Sequence, residues 1–534
     1  MAAVAKHGID LLEHSGIVAT LYTMISFSTA IDAAILYSFA LGIYRLYFHP
    51  LTKIPGPKLA ALTGWYEAYF ELFHKGLGGQ YTFHIQELHK IYGPIVRINP
   101  HEVHIDDPNF YSTIYTNREG YDKPENLKWR FGSPAGLFST PDHHLHKMRR
   151  AAQEPFFAKS RINKLSPEIQ AKADLMCAKL SENYLNQDKP VTLDNLFASY
   201  IADVTTKYAF DRDFKYLSSP DFASPFVKAI RSFKDIAHPC TQFPWLARAL
   251  AATPDFLVRI LQPSMSCVLE FQDDMRRLIR EAQGDLSNPD PRKPDQADKT
   301  IIHGILRAGL PQEELEMDVL KDHATSIIGA GIASAQWTLT IACFHVMSDQ
   351  RIREALKKEL ESVMPDANSP LPYKEIAEKC PYLVACIEEA ARLACGQMTR
   401  SPRISKTPIT YGDYVLAPGT HISLDTWHMH HNETLYPQSY SYVPERWVGN
   451  PRAPAPYDSR PLKHYMVSFG RGTRHCIGMN LAYAEITIAL ASLIRRFDWE
   501  LFETTDEDVK VVRDLVAPDV SRKSKGIRVL VKGT

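Results

Sequence analysis

Long apolar runs separated by proline- and glycine-rich breaks set the organisation of the chain. The first run, Ser15 to Tyr44, is apolar apart from Asp32 and is long enough to cross a bilayer. A carboxylate at mid-membrane is costly, so the span is expected on one side of Asp32, or with Asp32 near an interface. Pro50, Pro55 and Pro57 follow and cannot continue a helix, which predicts a stiff extended hinge. Ile95–Ile98 and Glu102–Ile105 are β-branched, weakly alternating runs and read as short strands. From Asp194 to about Ala282 the apolar spacing is helical, and the aromatics within it (Phe222, Phe226, Phe233, Phe243, Trp245) are expected in a core. Residues Gln283 to Thr300 are rich in Pro, Asp, Asn and Lys and predict an exposed loop. A long helix is expected from Pro311, a favoured first-turn residue, to about Met347. Gly329 and Gly331 lie at its middle. Each costs about 1 kcal/mol relative to alanine, which implies close approach of a flat group or a local widening that admits water. Two more helices are predicted, Pro381 to Arg392 and Met479 to Phe497. The chain has no internal repeat.

Composition narrows this pattern without changing it. At 45% hydrophobic and 23% charged the chain is globular rather than disordered. Its 61 Lys and Arg balance 61 Asp and Glu, so no bulk charge points to nucleic acid. The eight cysteines form no framework pattern, which fits a reducing, cytosol-facing compartment. Arg45, Lys53 and Lys58 follow the first apolar run, whereas Asp10 and Glu13 accompany Lys6 before it, an asymmetry that places the bulk of the chain in the cytosol. A cleaved signal peptide fits less well, because the run is long and lacks a basic leading segment. The expected organisation is a short lumenal segment (1–15), a membrane anchor (16–44), a proline hinge (45–58) and one mainly helical domain with small sheets (59–534).

Candidate chemistry concentrates before the last predicted helix, in Phe469-Gly-Arg-Gly-Thr-Arg-His-Cys-Ile-Gly478. Gly470, Gly472 and Gly478 permit positive φ and close packing of backbone against a flat ligand. The following helix aims free N–H groups and its positive dipole end at Cys476. Arg471 and Arg474 add charge, so the thiol pKa is expected to fall and Cys476 to be a thiolate, the metal-binding form. No second Cys or His stands at zinc-ligand spacing, whereas a lone thiolate suits iron whose other ligands come from a porphyrin. An isolated cysteine is most often a buried structural residue; only a full ligand signature around it, near the end of a chain this long, reverses those odds. His421, His428, His430 and His431 also cluster, without i, i+4 helical pairing or a cysteine pair, and are read as satisfied structural histidines rather than a zinc site.

The pattern Phe469-x-x-Gly472-x-Arg474-x-Cys476-x-Gly478 resembles the haem-binding signature of the cytochrome P450 family, with every fixed position filled. The resemblance runs from about Arg45 to the C-terminus. The hinge is similar to that of microsomal members. Tyr47-Phe48-His49-Pro50 and Leu59–Thr63 are worded like fungal enzymes of secondary metabolism, among them the trichodiene oxygenases. The family carries a Trp-x-x-x-Arg pair on a haem propionate; here His146 replaces the tryptophan and Arg150 is kept, while Lys147 and Arg149 read as a solvated basic face. Its groove motif, Ala/Gly-Gly-x-Asp/Glu-Thr, survives as Ala330-Gly331, with Ala333 in place of the acid and Ser334 in place of the threonine. Glu389 and Arg392 match the Glu-x-x-Arg motif, and Arg446 completes a buried triad. Arg400 matches a position that pairs with the other propionate, with Arg403 a less certain match.

These matches imply a fold: a mainly α cytochrome P450 domain with small sheets, preceded by an N-terminal transmembrane helix in the endoplasmic reticulum membrane. They also imply haem b, with Cys476 as axial ligand to iron. Electrons would come from NADPH–cytochrome P450 reductase, with cytochrome b5 an optional second donor. Dioxygen would supply the atom inserted into a lipophilic small molecule, a terpenoid or polyketide of fungal secondary metabolism. The missing acid at position 333 keeps open a haem-thiolate isomerase or dehydratase that needs no reductase, and a non-catalytic haem-binding sensor remains a further alternative.

Overall fold

The computed structural model describes residues 29–118, 120–287, 300–368, 372–457 and 459–533. The expected lumenal segment and the first part of the anchor lie outside them. The described part of the anchor is helix α1, Thr29–Phe48, which ends in a π-helical turn from Tyr44 to Phe48. By length and composition it suffices to cross a membrane, and its apolar side chains Ile35, Leu36, Tyr37 and Phe39 are exposed. Helix therefore continues four residues past the expected boundary at Tyr44, and the expected extended hinge instead opens with turns. After an extended His49, the Thr52 N–H donates to the His49 carbonyl (3.0 Å) and the Ile54 N–H to the Leu51 carbonyl (3.1 Å). Arg45 ties this end of α1 to the body: its guanidinium donates to the Leu62 carbonyl (2.6 Å), and its own carbonyl accepts from Arg97 (2.9 Å).

The body is mostly helical. Helices α2 (Tyr81–Tyr92), α3 (His143–Gln153), α4 (Lys159–Asn183), α5 (Leu193–Phe210), α6 (Met317–Ser348), α7 (Pro381–Leu393), α8 (Thr426–His430) and α9 (Met479–Arg496) carry the residues that matter below. The principal core lies where α6 packs on α5, α7 and α9, and α4 on α9. Both flanks of α6 are covered, so its sequence is apolar nearly all round rather than striped. It begins at Met317, after a short 3-10 turn over Gln312–Leu315 that Pro311 precedes, six residues later than Pro311 alone suggests. Helix Ser266–Ser287 likewise runs past Ala282, and 288–299 of the expected loop lie outside the described residues.

The expected strands form at β1 (Ile95–Arg97) and β2 (Glu102–Ile105), antiparallel with Ile95 opposite Ile105. With β3 (Arg403–Ile404) and β4 (His421–Ser423) they make a sheet of order β1-β2-β4-β3, in which β2 and β4 run parallel. A second, three-stranded sheet joins Val191–Thr192, Phe497–Leu501 and Arg528–Gly533. The aromatics of the stretch from Asp194 to Ala282 divide. Phe222 and Phe226 are core residues as expected, but Trp245 is 67% exposed, and Phe256 and Ile260 are as bare.

Candidate functional site: a cysteine loop braced by a buried ion triad

The loop ahead of α9 is closed on itself. The Cys476 N–H donates to the Phe469 carbonyl (2.8 Å), and the Thr473 N–H to the Thr116 carbonyl (3.2 Å). Gly472 has φ +74°, and a Cβ there would sit 2.5 Å from the Thr116 oxygen, so both conformation and space demand glycine. Gly478, in contrast, has φ −84° and needs no left-handed freedom. Seven of the eight cysteines are buried or half-buried, and Cys476 alone is exposed. Protein nonetheless surrounds that sulfur closely enough to desolvate it, so the thiol opens onto interior space rather than the outer surface. Burial pushes its pKa up, against the Gly478 N–H, the Arg150 charge and the Met479 N–H, which all pull it down. This corrects the expected free thiolate: burial wins over the helix end, and a metal must displace the proton on binding. The expected cations are also the wrong ones. Arg471 reaches Ser112 Oγ (3.1 Å), and Arg474 donates to the Thr140 and Pro141 carbonyls (2.6 Å each). Arg150 acts instead, donating to the His475 carbonyl (2.7 Å) immediately before the cysteine.

Behind the loop stands the predicted triad. Glu389 and Arg392 on α7 are both fully buried and pair through two hydrogen bonds, Nε to Oε2 (2.9 Å) and Nη2 to Oε1 (2.8 Å). Glu389 also accepts from Arg446 Nε (3.2 Å), Trp447 Nε1 (2.9 Å) and the Val443 N–H (3.0 Å). Arg392 donates further to the carbonyls of His430, Ser439 and Ser441. The link to the cysteine loop is His430: its Nε2 accepts from the Val467 N–H (2.9 Å) and its Nδ1 meets the Arg392 carbonyl (2.8 Å). Donation from Val467 fixes the proton on Nδ1. Burial, with Arg392 beside it, pushes His430 down to about 3, so the ring stays neutral. Ser468 Oγ adds a bond to the Ala391 carbonyl (2.7 Å). The sequence marks His430 as a structural histidine, but its particular duty depends on a 37-residue separation that no local pattern carries.

A second feature is a set of basic side chains, buried or half-buried, without counter-anions. His146 on α3 is buried with Nδ1 unpartnered, and its pKa is pushed down to about 2 by burial and by Arg474, Lys123 and Arg150. Arg474 leaves Nε unpartnered and falls to about 9 through burial and Arg403. Burial, Arg403 and Arg474 likewise depress Lys123, whose ammonium finds only the Phe138 carbonyl (2.9 Å). Arg403 bonds only to its neighbours Ser401 and Pro402, over the Tyr115 ring. Among the described residues none of these four forms an ion pair with a carboxylate. Buried charges are normally paired, so the cluster is chemically complete only with an anion, and the two propionates of a haem have the required charge. Arg400, predicted for that duty, is committed elsewhere: it pairs with Glu67 (2.5 Å), Glu102 (2.9 Å) and Glu71 (3.6 Å). Arg403, three residues further on, stands among the unpaired basic groups instead. Arg149 is corrected too. It is buried in a two-bond pair with Glu314 (2.6 and 2.9 Å), while Lys147 is exposed as expected.

On α6, Ala330 and Ser334 are exposed although 61% of the helix's most apolar stretch is buried. The helix stays regularly α-helical through Gly329 and Gly331, so the expected local widening is absent. A Cβ at Gly331 would meet the Thr205 side chain of α5 at 3.4 Å, about ordinary contact, and one at Gly329 would meet nothing within 4 Å, so packing within the protein does not demand either glycine. The Ser334 hydroxyl donates back to the Ala330 carbonyl (3.0 Å), which leaves its lone pairs toward the open face.

The comparisons agree with this geometry. The family profile described as Cytochrome P450 matches residues 63–531. The chain is 38% identical over 515 residues to cytochrome P450 monooxygenase orf4 of Eupenicillium brefeldianum, covering 95% of this chain and 98% of the relative. It is 36% identical to cytochrome P450 monooxygenase sdnE of Sordaria araneosa (93% and 96% covered) and 33% identical to tryptophan 6-hydroxylase fscE of Fusarium equiseti (93% and 95%). The chain belongs to the cytochrome P450 family. With the family come the haem-iron cofactor, the use of dioxygen and the monooxygenase activity of its relatives.

Proposed function

We propose that this chain is a membrane-anchored haem-thiolate monooxygenase that inserts one oxygen atom into a lipophilic secondary metabolite. The observation that carries the reading is Cys476, the one exposed cysteine, held beneath two backbone N–H groups in a loop that closes on itself. In this reading Cys476 ligates the iron of haem b, while Arg474, Arg403 and Lys123 supply positive charge to the propionates and neutral His146 offers a hydrogen bond. Haem so ligated supplies the oxidising iron for dioxygen activation, with the thiolate favouring O–O cleavage. The chain's own part is to hold, orient and exclude. Arg150 fixes the carbonyl before the ligand, and the Glu389–Arg392–Arg446 triad holds the loop through His430. Ala330 and Gly331 present a face free of bulk to the flat group. Ser334, its proton lent to Ala330, accepts a hydrogen bond from a water and passes a proton by rotating. Membrane attachment through α1, a catalytic domain facing the cytosol at the endoplasmic reticulum, and electrons from NADPH–cytochrome P450 reductase complete the proposal.

The test is reduction under carbon monoxide followed by turnover. Wild-type protein is expected to give the strongly red-shifted Soret band of a thiolate-bound haem, which Cys476→His loses. With reductase, NADPH oxidation is expected to couple to product. A histidine-type spectrum overturns the ligand assignment, and turnover without reductant establishes the isomerase in place of the monooxygenase.

A further inference from the structure

Three histidines from separate elements converge away from the cysteine loop: His89 on α2, His104 on β2 and His428 on α8. All three are buried, and one ring nitrogen from each lies within 4.8 Å of the other two. Of the four histidines clustered in sequence, only His428 takes part. The outer nitrogen of every ring faces an acceptor. His89 Nδ1 meets the Gly93 carbonyl (2.7 Å), and His104 Nε2 meets Asp425 Oδ2 (3.1 Å). His428 Nδ1 meets both Asp425 oxygens (2.8 Å each). Acceptors require N–H groups there, so a ring with a single proton carries it outside and turns a lone pair inward. Without an ion Asp425 holds His428 up to about 9, and a cation would take the place of the proton on its inward Nε2. The inward nitrogens have nothing to share. His89 Nε2 and His104 Nδ1 lie 2.7 Å apart, and His428 Nε2 is buried with no partner. Two lone pairs at that distance repel unless a positive charge sits among them.

We propose that His89, His104 and His428 bind one zinc-class divalent cation, with Asp425 as the outer carboxylate that orients two of the ligands. Imidazole nitrogens suit zinc and its neighbours, and a ligand histidine whose other nitrogen donates to a carboxylate or a backbone carbonyl is the usual supporting arrangement. Here all three rings have it. Zinc lies about 2.0–2.1 Å from each nitrogen, which sets ligand nitrogens roughly 3.3 Å apart in a tetrahedron. The His89–His104 pair therefore opens by about 0.6 Å on binding, and a water fills the fourth position. The carboxylates that would balance the ion are the fully buried Asp425, paired with His428 in its absence, and Asp106, near enough to act on His104 and His428. The ion joins α2 and β2 to the short helix that ends at His430. The site uses no residue of the haem reading and stands whether or not that reading does.

The experiment is metal analysis of the full-length, haem-loaded protein, made without a polyhistidine tag in zinc-supplemented medium. Mass spectrometry is expected to give one zinc per chain beside the haem iron, and zinc-edge absorption three nitrogen ligands at about 2.0–2.1 Å. His89→Gln is expected to lower zinc content at least about tenfold while the carbon-monoxide spectrum persists. Wild-type protein with full haem and only trace zinc overturns the proposal, leaving a proton shared between the rings. Zinc that persists undiminished in folded His89→Gln places the ion elsewhere and overturns it equally. If His89→Gln fails to accumulate, the zinc content and edge spectrum of the wild type decide.

Discussion

Removing the Glu389 carboxylate tests how the ligand loop is held. That carboxylate accepts from Arg392 twice, from Arg446, from the Trp447 indole and from the Val443 N–H, all between 2.8 and 3.2 Å. In Glu389→Ala, Arg392 stays fully buried without the one carboxylate it pairs with among the described residues, keeping only backbone carbonyls, while the indole and one amide lose their acceptor. Breaking a buried pair from one side costs about 3–5 kcal/mol. At roughly 2.1 cal/mol/K of unfolding entropy per residue, a chain of 534 residues melts with about 1.1 kcal/mol/K, so the melting temperature falls by about 3–5 °C. Haem retention falls further, because Arg392 and His430 connect this network to Val467, two residues before Phe469. The pH dependence has a sign. Burial raises the Glu389 pKa, but Arg392, Val443 and Trp447 outweigh it and hold the carboxyl below the usual carboxylate range. A group depressed by folding contributes its stability above its unfolded pKa and loses it as pH falls through the folded value. The gap between wild type and Glu389→Ala is therefore full at neutral pH and closes only below the ordinary glutamate range. Calorimetry and haem quantification across pH check both parts. Near-normal haem loading and an unchanged melting temperature at neutral pH refute the reasoning.

Two other predictions rest on single contacts. Positioned proton transfer is commonly worth about 10²–10⁴-fold, and freeing Ser334 from its bond to Ala330 costs about 0.5–1.5 kcal/mol, so Ser334→Ala is expected to lower product formation about 10–10³-fold while releasing more hydrogen peroxide per NADPH. Unchanged product rate and coupling place the proton path elsewhere. Deletion of residues up to Tyr44 removes the apolar helix but keeps the Arg45 contacts to Leu62 and Arg97. The truncated protein is expected to keep its carbon-monoxide spectrum and to leave carbonate-washed membranes, and undiminished membrane retention moves the anchor to another segment.

The sequence alone determined what is local. The cysteine loop was legible because ligand, turn glycines and helix start are contiguous, and Glu389 and Arg392 because three residues of helix place them on one face. Apolar runs marked α1 and α6, and β-branched runs marked β1 and β2. Tertiary structure decided what depends on partners distant in the chain. Arg149 reads as surface until Glu314 is brought beside it, and Arg400 reads as a propionate ligand until Glu67, Glu71 and Glu102 enclose it. The helix end and nearby arginines predicted a free thiolate at Cys476, but burial, which no spacing reports, outweighs them. The four histidines near residue 430 suggested one group and are in fact sorted into separate duties. His430 holds the ligand loop, while His428 joins His89 and His104 across more than 300 residues of chain. Charge, desolvation and ligand geometry are set by what folding brings within a few ångströms, and sequence neighbours supply only part of that set.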